Sequence, residues 1–203
     1  MILGSLTEVV DLVVDARAST DAARRLLVGI VGAPGAGKST IAAALVERLP
    51  LAALLPMDGF HLPQTQLRRL GRRERMGAPD TFDVDGFVAT LADVRNSCTS
   101  VCAPGFDRGI EEPVPGAIVI GQELSTVVVD GNYLLLWKMA AAHLDLTFFV
   151  EVDHDIRIGR LVERHERFGK SPELARDWAL GPDEANAEVI TATATRADHV
   201  IRL

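Results

Sequence analysis

The chain has 203 residues, of which 48% are hydrophobic and 24% are charged, and its formal net charge is −7. This composition is typical of a globular protein, and it excludes a disordered tail, a collagen and a disulfide-dense mini-protein. The negative charge disfavours nucleic acid and anionic membranes as partners. Two cysteines, Cys98 and Cys102, are too few for a zinc site, so we expect both thiols to be reduced.

The N-terminal 20 residues contain no basic leader and no small-residue cleavage site after an apolar block, so they do not resemble a signal peptide. No apolar run reaches the ~20 residues that are needed to cross a bilayer. These features predict a cytoplasmic protein that has no membrane partner. A homodimer stays open, because sheet edges and apolar patches are not visible in a sequence.

Hydrophobic periodicity predicts four elements in the first part of the chain. They are a helix over 5–17, a strand over 26–31, a helix over 39–48 and a strand over 51–57. Residues 59–85, which follow, are polar and rich in arginine and glycine. A segment of this kind inside a compact domain is typical of a binding loop, here with room for one short helix.

The second part of the chain continues the alternation of helices and strands. The predicted elements are a helix over 86–98, irregular chain with short strands over 99–120, strands over 127–129 and 146–152, helices over 155–168 and 172–195, and a strand over 199–203. Strands that alternate with helices predict an α/β fold with three α/β/α layers and a mostly parallel five-stranded sheet. We expect a single domain over 1–203.

The strongest motif is a glycine-rich loop between the first predicted strand and its helix. It matches the Walker A pattern G-x-x-x-x-G-K-[ST], and its residues are Gly32, Ala33, Pro34, Gly35, Ala36, Gly37, Lys38 and Ser39, with Thr40 directly after them. Glycines let backbone N–H groups surround phosphates, and the helix N-terminus adds its dipole. Lys38 would bind the β- and γ-phosphates of ATP, and Ser39 would ligate Mg²⁺. The alternative is a strand-to-helix turn without a ligand.

Two aspartates follow buried strands and are candidates for the same site. Asp130 ends the run STVVVD, where a P-loop protein holds its second Mg²⁺-linked acid. Asp58 follows the second strand, and all carboxyl ends of a parallel sheet face one crevice. Asp58 is therefore predicted to accept the proton of an acceptor hydroxyl, with His61 beside it. The alternative for both aspartates is that they cap turns, and for His61 that it is a structural residue.

Further polar residues are candidates for binding a small polyol-like acceptor. Arg75 belongs to an arginine-rich stretch whose guanidinium groups can grip anionic oxygens, although a solvated basic surface is the competing interpretation. Asp83, Asp107 and Arg108 offer acceptors and a donor for hydroxyl groups. This mixture of charges predicts an acceptor of sugar-like character.

A predicted helix over 155–168 carries arginines at spacings of 3, 4 and 3, which places them on one stripe: Arg157, Arg160, Arg164 and Arg167. A stripe of this kind predicts a lid over 155–170 that brings guanidinium groups to the transferring phosphate. Gly169 and Lys170 would form its hinge or a second phosphate contact. A salt-bridged exposed surface is the alternative.

An ordered series of motifs resembles a known family of P-loop kinases. The motifs are PMDGFH at 56–61, RMGAPDTFD at 75–83, PGFDR at 104–108, EEPVPGAIVI at 111–120, VVVDGNYLLL at 127–136, RLVERHERFGKS at 160–171 and GPDEANAEVI at 181–190. Together with the P-loop they resemble the type I pantothenate kinase, uridine kinase and phosphoribulokinase family. The resemblance is strongest to short bacterial members that carry the label fructose transport system kinase.

The resemblance implies an ATP-dependent kinase that acts on a hydroxyl of a sugar-like or nucleoside-like acceptor, with 59–85 as the acceptor-binding loop. It implies that Asp58 is the catalytic base and that Asn132 and Tyr133 contact the acceptor. It also places the lid arginines, Arg164 as a catalytic group and Arg160 as a nucleotide contact, in the helix after the fourth strand.

Two other functions stay open. Pantothenate or uridine kinase activity is the alternative within the same family. A regulatory P-loop NTPase without an acceptor is the alternative from another class, but no asparagine is followed by lysine as in the N-K-x-D motif of guanine-specific switches. The signature of ABC-type ATPases, which is rich in serine and glycine, is also absent.

Overall fold

A computed structural model describes residues 1–202; Leu203, the end of the last predicted strand, lies outside the described residues. The strands, in chain order, are β1 (Ile2–Leu3), β2 (Leu26–Gly32), β3 (Ala52–Pro56), β4 (Val101–Asp107), β5 (Glu112–Ile120), β6 (Thr126–Gly131), β7 (Leu146–Glu151) and β8 (His199–Arg202). The helices are α1 (Leu6–Ser19), α2 (Lys38–Arg48), α3 (Gln64–Arg69), α4 (Val84–Asn96), α5 (Lys138–Ala141), α6 (His154–Arg167), α7 (Pro172–Leu180) and α8 (Pro182–Thr191). Short 3₁₀ turns cover Met57–Phe60, Arg73–Arg75, Pro79–Thr81 and Ala194–Arg196.

The central sheet has six strands in the order β1-β8-β7-β2-β6-β3, and every strand pair in it is parallel. The sequence predicted five strands, so this count is wrong by one. The additional strand is β1, whose Ile2 and Leu3 pair with Val200 and Ile201 of β8. Two residues are too short for any periodicity, and their strand character comes from the neighbouring strand alone.

Helices cover both faces of the sheet, which confirms the predicted α/β/α layers. Strand β2 shows why: Leu27 and Val31 belong to one buried cluster, whereas Val28 and Ile30 belong to another. Side chains alternate between the faces of a strand, so a central strand must be apolar on both. Helices α1 and α2 cover the face of Val28, and α4, α5 and α8 cover the opposite face.

Residues 99–120 form an antiparallel hairpin of β4 and β5, with seven and nine residues, rather than the irregular chain that the prolines predicted. Neither strand joins the central sheet, so each has a free edge. Proline is tolerated on such an edge because no partner needs its missing N–H. The register shifts between Ala103 and Gly105, where Pro104 stands. The predicted short strands are therefore longer than expected.

The hairpin lies directly against the 3₁₀ turn Met57–Phe60 that follows β3. At Gly59 of this turn, a Cβ atom would lie 2.0 Å from the carbonyl oxygen of Pro104. Real Cβ atoms do not approach a backbone oxygen so closely, so the contact between the turn and β4 requires glycine. The turn also carries Asp58, and the hairpin thereby packs beside the predicted catalytic acid.

We expect Gly59→Ala to destabilise the protein by about 1–3 kcal/mol, because the added methyl group forces the hairpin away from the turn. Chemical denaturation measures this free energy of unfolding. Gly159→Ala is the matched control, since Gly159 lies inside α6 with no atom within 4 Å of a Cβ atom. The control should stabilise the protein by about 0.5–1 kcal/mol. Equal effects of the two changes would contradict the close packing.

Candidate active site

The glycine-rich loop joins β2 to α2 in the way the sequence predicted. Gly35 and Gly37 have φ angles of +81° and +91°, which side chains other than glycine rarely adopt. Gly37 is the N-cap of α2, and no side chain caps the helix. The first N–H groups of a helix have no partner within it, so the start of α2 offers donors and a positive dipole to an anion.

Helix α6 packs on the outside of this loop. A Cβ atom at Gly35 would lie 2.7 Å from the carbonyl oxygen of Arg157, so the loop and the helix are in direct contact. Arg157 is buried, donates to the carbonyl of Pro34 and pairs with Glu184 of α8. This guanidinium group therefore connects the phosphate loop to two helices that follow β7.

The strand register brings the two predicted aspartates to the loop. Asp130 of β6 pairs with Ile30 of β2 and with Pro56 of β3, and Asp58 follows Pro56 by two residues. A cavity of about 570 Å³ opens at this edge of the sheet. Nine of the predicted site residues line it: Pro34, Lys38, Ser39, Asp58, His61, Arg108, Asp130, Asn132 and Arg164. The shared crevice that the parallel topology predicted is present.

Lys38 and Asp130 have opposite charges at the inner end of the cavity. Burial lowers the pKa of Lys38, while the negative charges of Asp130 and Asp58 oppose this effect. Burial also raises the pKa of Asp130, against the influence of Lys38 and of the Ser39 hydroxyl. Negative charge from a polyphosphate would stabilise the charged form of this half-buried ammonium group, which its surroundings disfavour.

Asp58 forms an ion pair at the hairpin side of the cavity. Its Oδ2 atom lies 2.5 Å from Nη2 of Arg108. Burial by itself raises the pKa of the Asp58 carboxyl. The electrostatic influence of Arg108, and after it of His61, Lys38 and Arg164, outweighs this effect, so the net shift of the pKa is downward. The carboxylate is consequently ionised at neutral pH and able to accept a proton.

His61 forms part of an aromatic wall beside Asp58. Its ring centre lies 4.0 Å from that of Phe82 and 4.7 Å from that of Phe106. Its Nδ1 atom lies 2.9 Å from the Asp58 carbonyl oxygen. Burial lowers the pKa of His61, although Asp58 opposes the shift. The His61 ring is tilted by 41° against Phe82 and by 34° against Phe106, and all three rings line the cavity.

The polar groups near Lys38 fit a magnesium ion that is bound together with phosphate. The Oδ1 atom of Asp130 is buried and has no hydrogen-bond partner among residues 1–202, and the same holds for Oδ1 of Asn132. The Ser39 hydroxyl lines the same cavity. Within residues 1–202, no group of three or more His, Cys, Asp or Glu could hold a metal. Phosphate oxygens and water would therefore have to complete the shell of the ion.

Four residues predicted to bind the acceptor lie outside the cavity, each in a structural contact. Arg75 pairs with Asp80 at the surface. The Asp83 side chain caps α4 by accepting from the N–H of Gly86. Asp107 accepts hydrogen bonds from the N–H groups of Gly109 and Ile110. Tyr133 is buried, and its hydroxyl donates to the Gly77 carbonyl oxygen at 2.6 Å. These contacts support the loops around the site.

The predicted arginine stripe of α6 does not face one surface. Arg164 lines the cavity, whereas the Nη1 atom of Arg160 lies 3.4 Å from the place of a Cβ atom at Gly37, outside the cavity lining. Arg157 is buried, and Arg167 is exposed. The remaining loop positions outside the lining are Gly32, Ala33, Gly35, Ala36, Gly37 and Thr40. The neighbouring elements thus give each arginine of the stripe a different environment.

The outer end of the cavity combines Lys170, which the sequence predicted as a hinge residue or phosphate contact, with three residues that the sequence interpretation missed, His165, Asp183 and Asn186. His165 of α6 lies 2.7 Å from Asp183 of α8, and both side chains are largely buried. Lys170 stands 4.7 Å above the centre of the Trp178 ring. Asn186 completes this part of the lining. The motif GPDEANAEVI contains two of these residues, but their distance from the P-loop along the chain hid their place in the site.

The fold and the site together define a P-loop nucleotide-binding protein: a Walker A loop follows a central strand of a parallel sheet, and an aspartate stands at the end of the adjacent strand. Within residues 1–202, no helix is both long and apolar enough to traverse a bilayer. Comparisons with known proteins narrow the class further.

Searches with family models found no match to the chain. The chain is 37% identical over 148 residues to the "ATP-dependent kinase-like protein notR'" of Aspergillus versicolor. The aligned region covers 66% of the chain and 86% of that protein. It is 33% identical over 157 residues to the "Putative uridine kinase C227.14" of Schizosaccharomyces pombe, which covers 70% of the chain and 67% of that protein.

A solved structure agrees with these relatives over nearly the whole chain. The protein described as a "putative fructose transport system kinase" from Silicibacter sp. TM1040 is 34% identical, with a TM-score of 0.88, and the match covers 97% of this chain and 98% of that one. The chain therefore belongs to the P-loop kinase family whose members include uridine kinase-like and pantothenate kinase proteins. The resemblance that the sequence motifs showed is confirmed.

Proposed function

We propose that this kinase transfers the γ-phosphoryl group of ATP to a hydroxyl of a small sugar-like or nucleoside-like acceptor. One observation carries the proposal: Asp58 lines the same cavity as Lys38 and Ser39. The cavity has a volume of about 570 Å³, which leaves room for a small molecule. Pockets of about 300–1,000 Å³ are typical of small-molecule sites. The names of the similar kinases from Silicibacter and Schizosaccharomyces support a sugar or a nucleoside as the acceptor.

The proposed reaction is a single displacement at phosphorus. The acceptor oxygen attacks the γ-phosphorus, the bond to the bridging oxygen breaks, and the hydroxyl proton passes to the Asp58 carboxylate, so that ADP leaves with the bridging oxygen. Lys38 and Arg164, which line the cavity, neutralise charge on the transferring group. Asn132 contributes a buried amide oxygen that has no partner among residues 1–202 and can orient the acceptor.

Ser39 and Asp130 are the residues that would hold the magnesium ion. When it is bound, the ion supplies positive charge to the β- and γ-phosphates. Residues 155–170, most of which belong to α6, form the proposed lid, and Gly169, with a φ angle of +93°, is its proposed hinge. In an open site, water could reach the γ-phosphate and hydrolyse ATP. A closed lid would exclude this water. A cytoplasmic location, where ATP is available, belongs to the same proposal.

A screen of ATP consumption tests the proposed function. ADP release is measured with fructose and other sugars, uridine and other nucleosides, pantothenate, and sugar phosphates. We expect one acceptor class to accelerate ADP release at least about a hundredfold over the rate without acceptor. Pantothenate or uridine as that acceptor would select the alternative within the family. Steady hydrolysis that no acceptor changes would contradict the proposal and favour a regulatory NTPase.

The pH dependence of the reaction should move when Arg108 is removed. Arg108 lowers the pKa of Asp58, so its loss in Arg108→Gln raises that pKa while His61, Lys38 and Arg164 remain. Asp58 must be ionised to act as a base, and the acid limb of kcat/KM should therefore shift to higher pH. Arg48→Gln removes an exposed arginine in the last turn of α2, outside both the cavity and the 59–85 loop, and is the control. An unchanged acid limb in Arg108→Gln would contradict the role of Asp58 as the base.

A further inference from the structure

Arg108 forms an ion pair with Asp58, the carboxylate that acts as the base in the proposed reaction. An Asp58 oxygen at 2.5 Å from a guanidinium nitrogen already has a strong hydrogen-bond donor and a full positive charge beside it. While the pair persists, this oxygen is a poor acceptor for the proton of a substrate hydroxyl. The reaction therefore requires either the second carboxylate oxygen alone or a change in the position of Arg108.

The chain holds the backbone of Arg108 firmly but leaves its side chain free to move. Arg108 lies in the turn between β4 and β5, where Asp107 accepts from the N–H groups of Gly109 and Ile110, and where Arg73 pairs with Glu111. The Arg108 side chain itself is 48% exposed, against 28% for Asp58. A long guanidinium side chain on a fixed turn can exchange one anionic partner for another without a change of fold.

The charge of the cavity favours an anionic occupant. Five cations line it, Lys38, Arg73, Arg108, Arg164 and Lys170, against four acids, Asp58, Glu111, Asp130 and Asp183. The whole chain, by contrast, has a net charge of −7. An excess of positive charge at one cleft of an acidic protein concentrates anions there.

Lys170 is a further cation of the cavity lining. Its ammonium group lies over the ring of Trp178, and no carboxylate among residues 1–202 forms an ion pair with it. ATP engages Lys38 and Arg164 in the proposed reaction. Arg108 and Lys170 are then the lining cations that a negative group on the acceptor can reach, since Arg73 is paired with Glu111.

We propose that the acceptor carries an oxyanion, a carboxylate or a phosphate group, which takes Arg108 from Asp58 and so releases the base only when that acceptor is bound. This inference rests on the proposed function and names the class of its substrate. A neutral sugar leaves the ion pair intact and leaves the base occupied. Arg108 thereby determines specificity: it binds the anion of the correct acceptor and blocks the base in its absence.

Anion binding to protein whose P-loop is filled tests the inference. Inorganic phosphate and acetate are titrated by calorimetry into protein that is saturated with Mg²⁺ and AMP-PNP, a non-hydrolysable ATP analogue. We expect Arg108→Gln to weaken binding of the preferred anion about tenfold. Asp58→Asn should strengthen it several-fold, because Arg108 loses its internal partner. Arg48→Gln, the matched control, should bind as the wild type does. The anion that binds more tightly identifies the group as phosphate or carboxylate.

Opposite effects of the two substitutions are the decisive result. A role of the pair in stability alone predicts that both changes weaken binding or that neither does, and either outcome overturns the inference. It is also overturned if neither anion binds more tightly to the wild type than to Arg108→Gln. Circular dichroism confirms that the variants are folded. If AMP-PNP itself does not bind, the proposed function fails. The anion titrations of Arg108→Gln and Asp58→Asn are then repeated in Lys38→Ala protein, where Lys38 cannot bind the anion, so that they test Arg108 separately.

Discussion

Lys38→Ala should reduce phosphoryl transfer by at least about a thousandfold, the largest loss that we expect from a single substitution. The ammonium group lies at the inner end of the cavity beside Asp130, where burial makes its charge costly without an anion. A polyphosphate would be its natural partner, and alanine leaves the transferring charge without compensation. Initial rates of ADP formation with the acceptor found by the screen measure the effect.

The chain offers a matched control for this substitution. Lys138 is an exposed lysine at the start of α5, outside the cavity lining, and Lys138→Ala should retain normal turnover. Circular dichroism should show that both variants keep their helical content. Turnover of Lys38→Ala near the wild-type rate would show that the loop does not bind the transferred phosphate in the proposed way.

Asp58→Asn should lower kcat by about a hundredfold to ten-thousandfold and leave the affinity for ATP nearly unchanged. An amide cannot take the proton of the acceptor hydroxyl, and this deficit appears only as the acceptor attacks. Loss of transition-state stabilisation without loss of binding therefore distinguishes a base from a binding group. Single-turnover rates and nucleotide titrations measure the two quantities separately.

Asp11→Asn is the control for the loss of one carboxylate, since Asp11 is exposed on α1, away from the cavity. It should leave both quantities as in the wild type. If Asp58→Asn weakens ATP binding as much as it lowers kcat, Asp58 has a binding or structural role. The Arg108 ion pair would then serve to hold the hairpin against the turn.

Much of the fold could be predicted because local patterns and parallel topology agree. Apolar runs that stop at glycine or aspartate marked β2 and β6, and the Walker A residues marked the loop between β2 and α2. A parallel sheet places all carboxyl ends at one edge, so the meeting of Asp58, Asp130 and Lys38 could be predicted from the parallel direction of the strands. In the structure, the pairing of Pro56 of β3 with Asp130 of β6 brings the ends of these two strands together.

Other features depended on contacts that no local pattern contains. Strand β1 has two residues and exists only because β8 offers its edge, and the β4–β5 hairpin accepts its prolines only because both strands have free edges. Tyr133 has the residue type of an acceptor-binding group, yet its hydroxyl supports the loop at Gly77. The short-range sequence was compatible with either use of this side chain.

The residue types and spacing of the chain were sufficient for its class, its nucleotide loop and the edge of the sheet where chemistry is expected. The division of work among similar side chains was decided in three dimensions: α6 sends Arg157 to Glu184 and Arg164 to the cavity, and the hairpin brings Arg108 to Asp58. The physical reason is that a charge takes its role from the groups that surround it after packing. Those groups come from segments that are far apart along the chain.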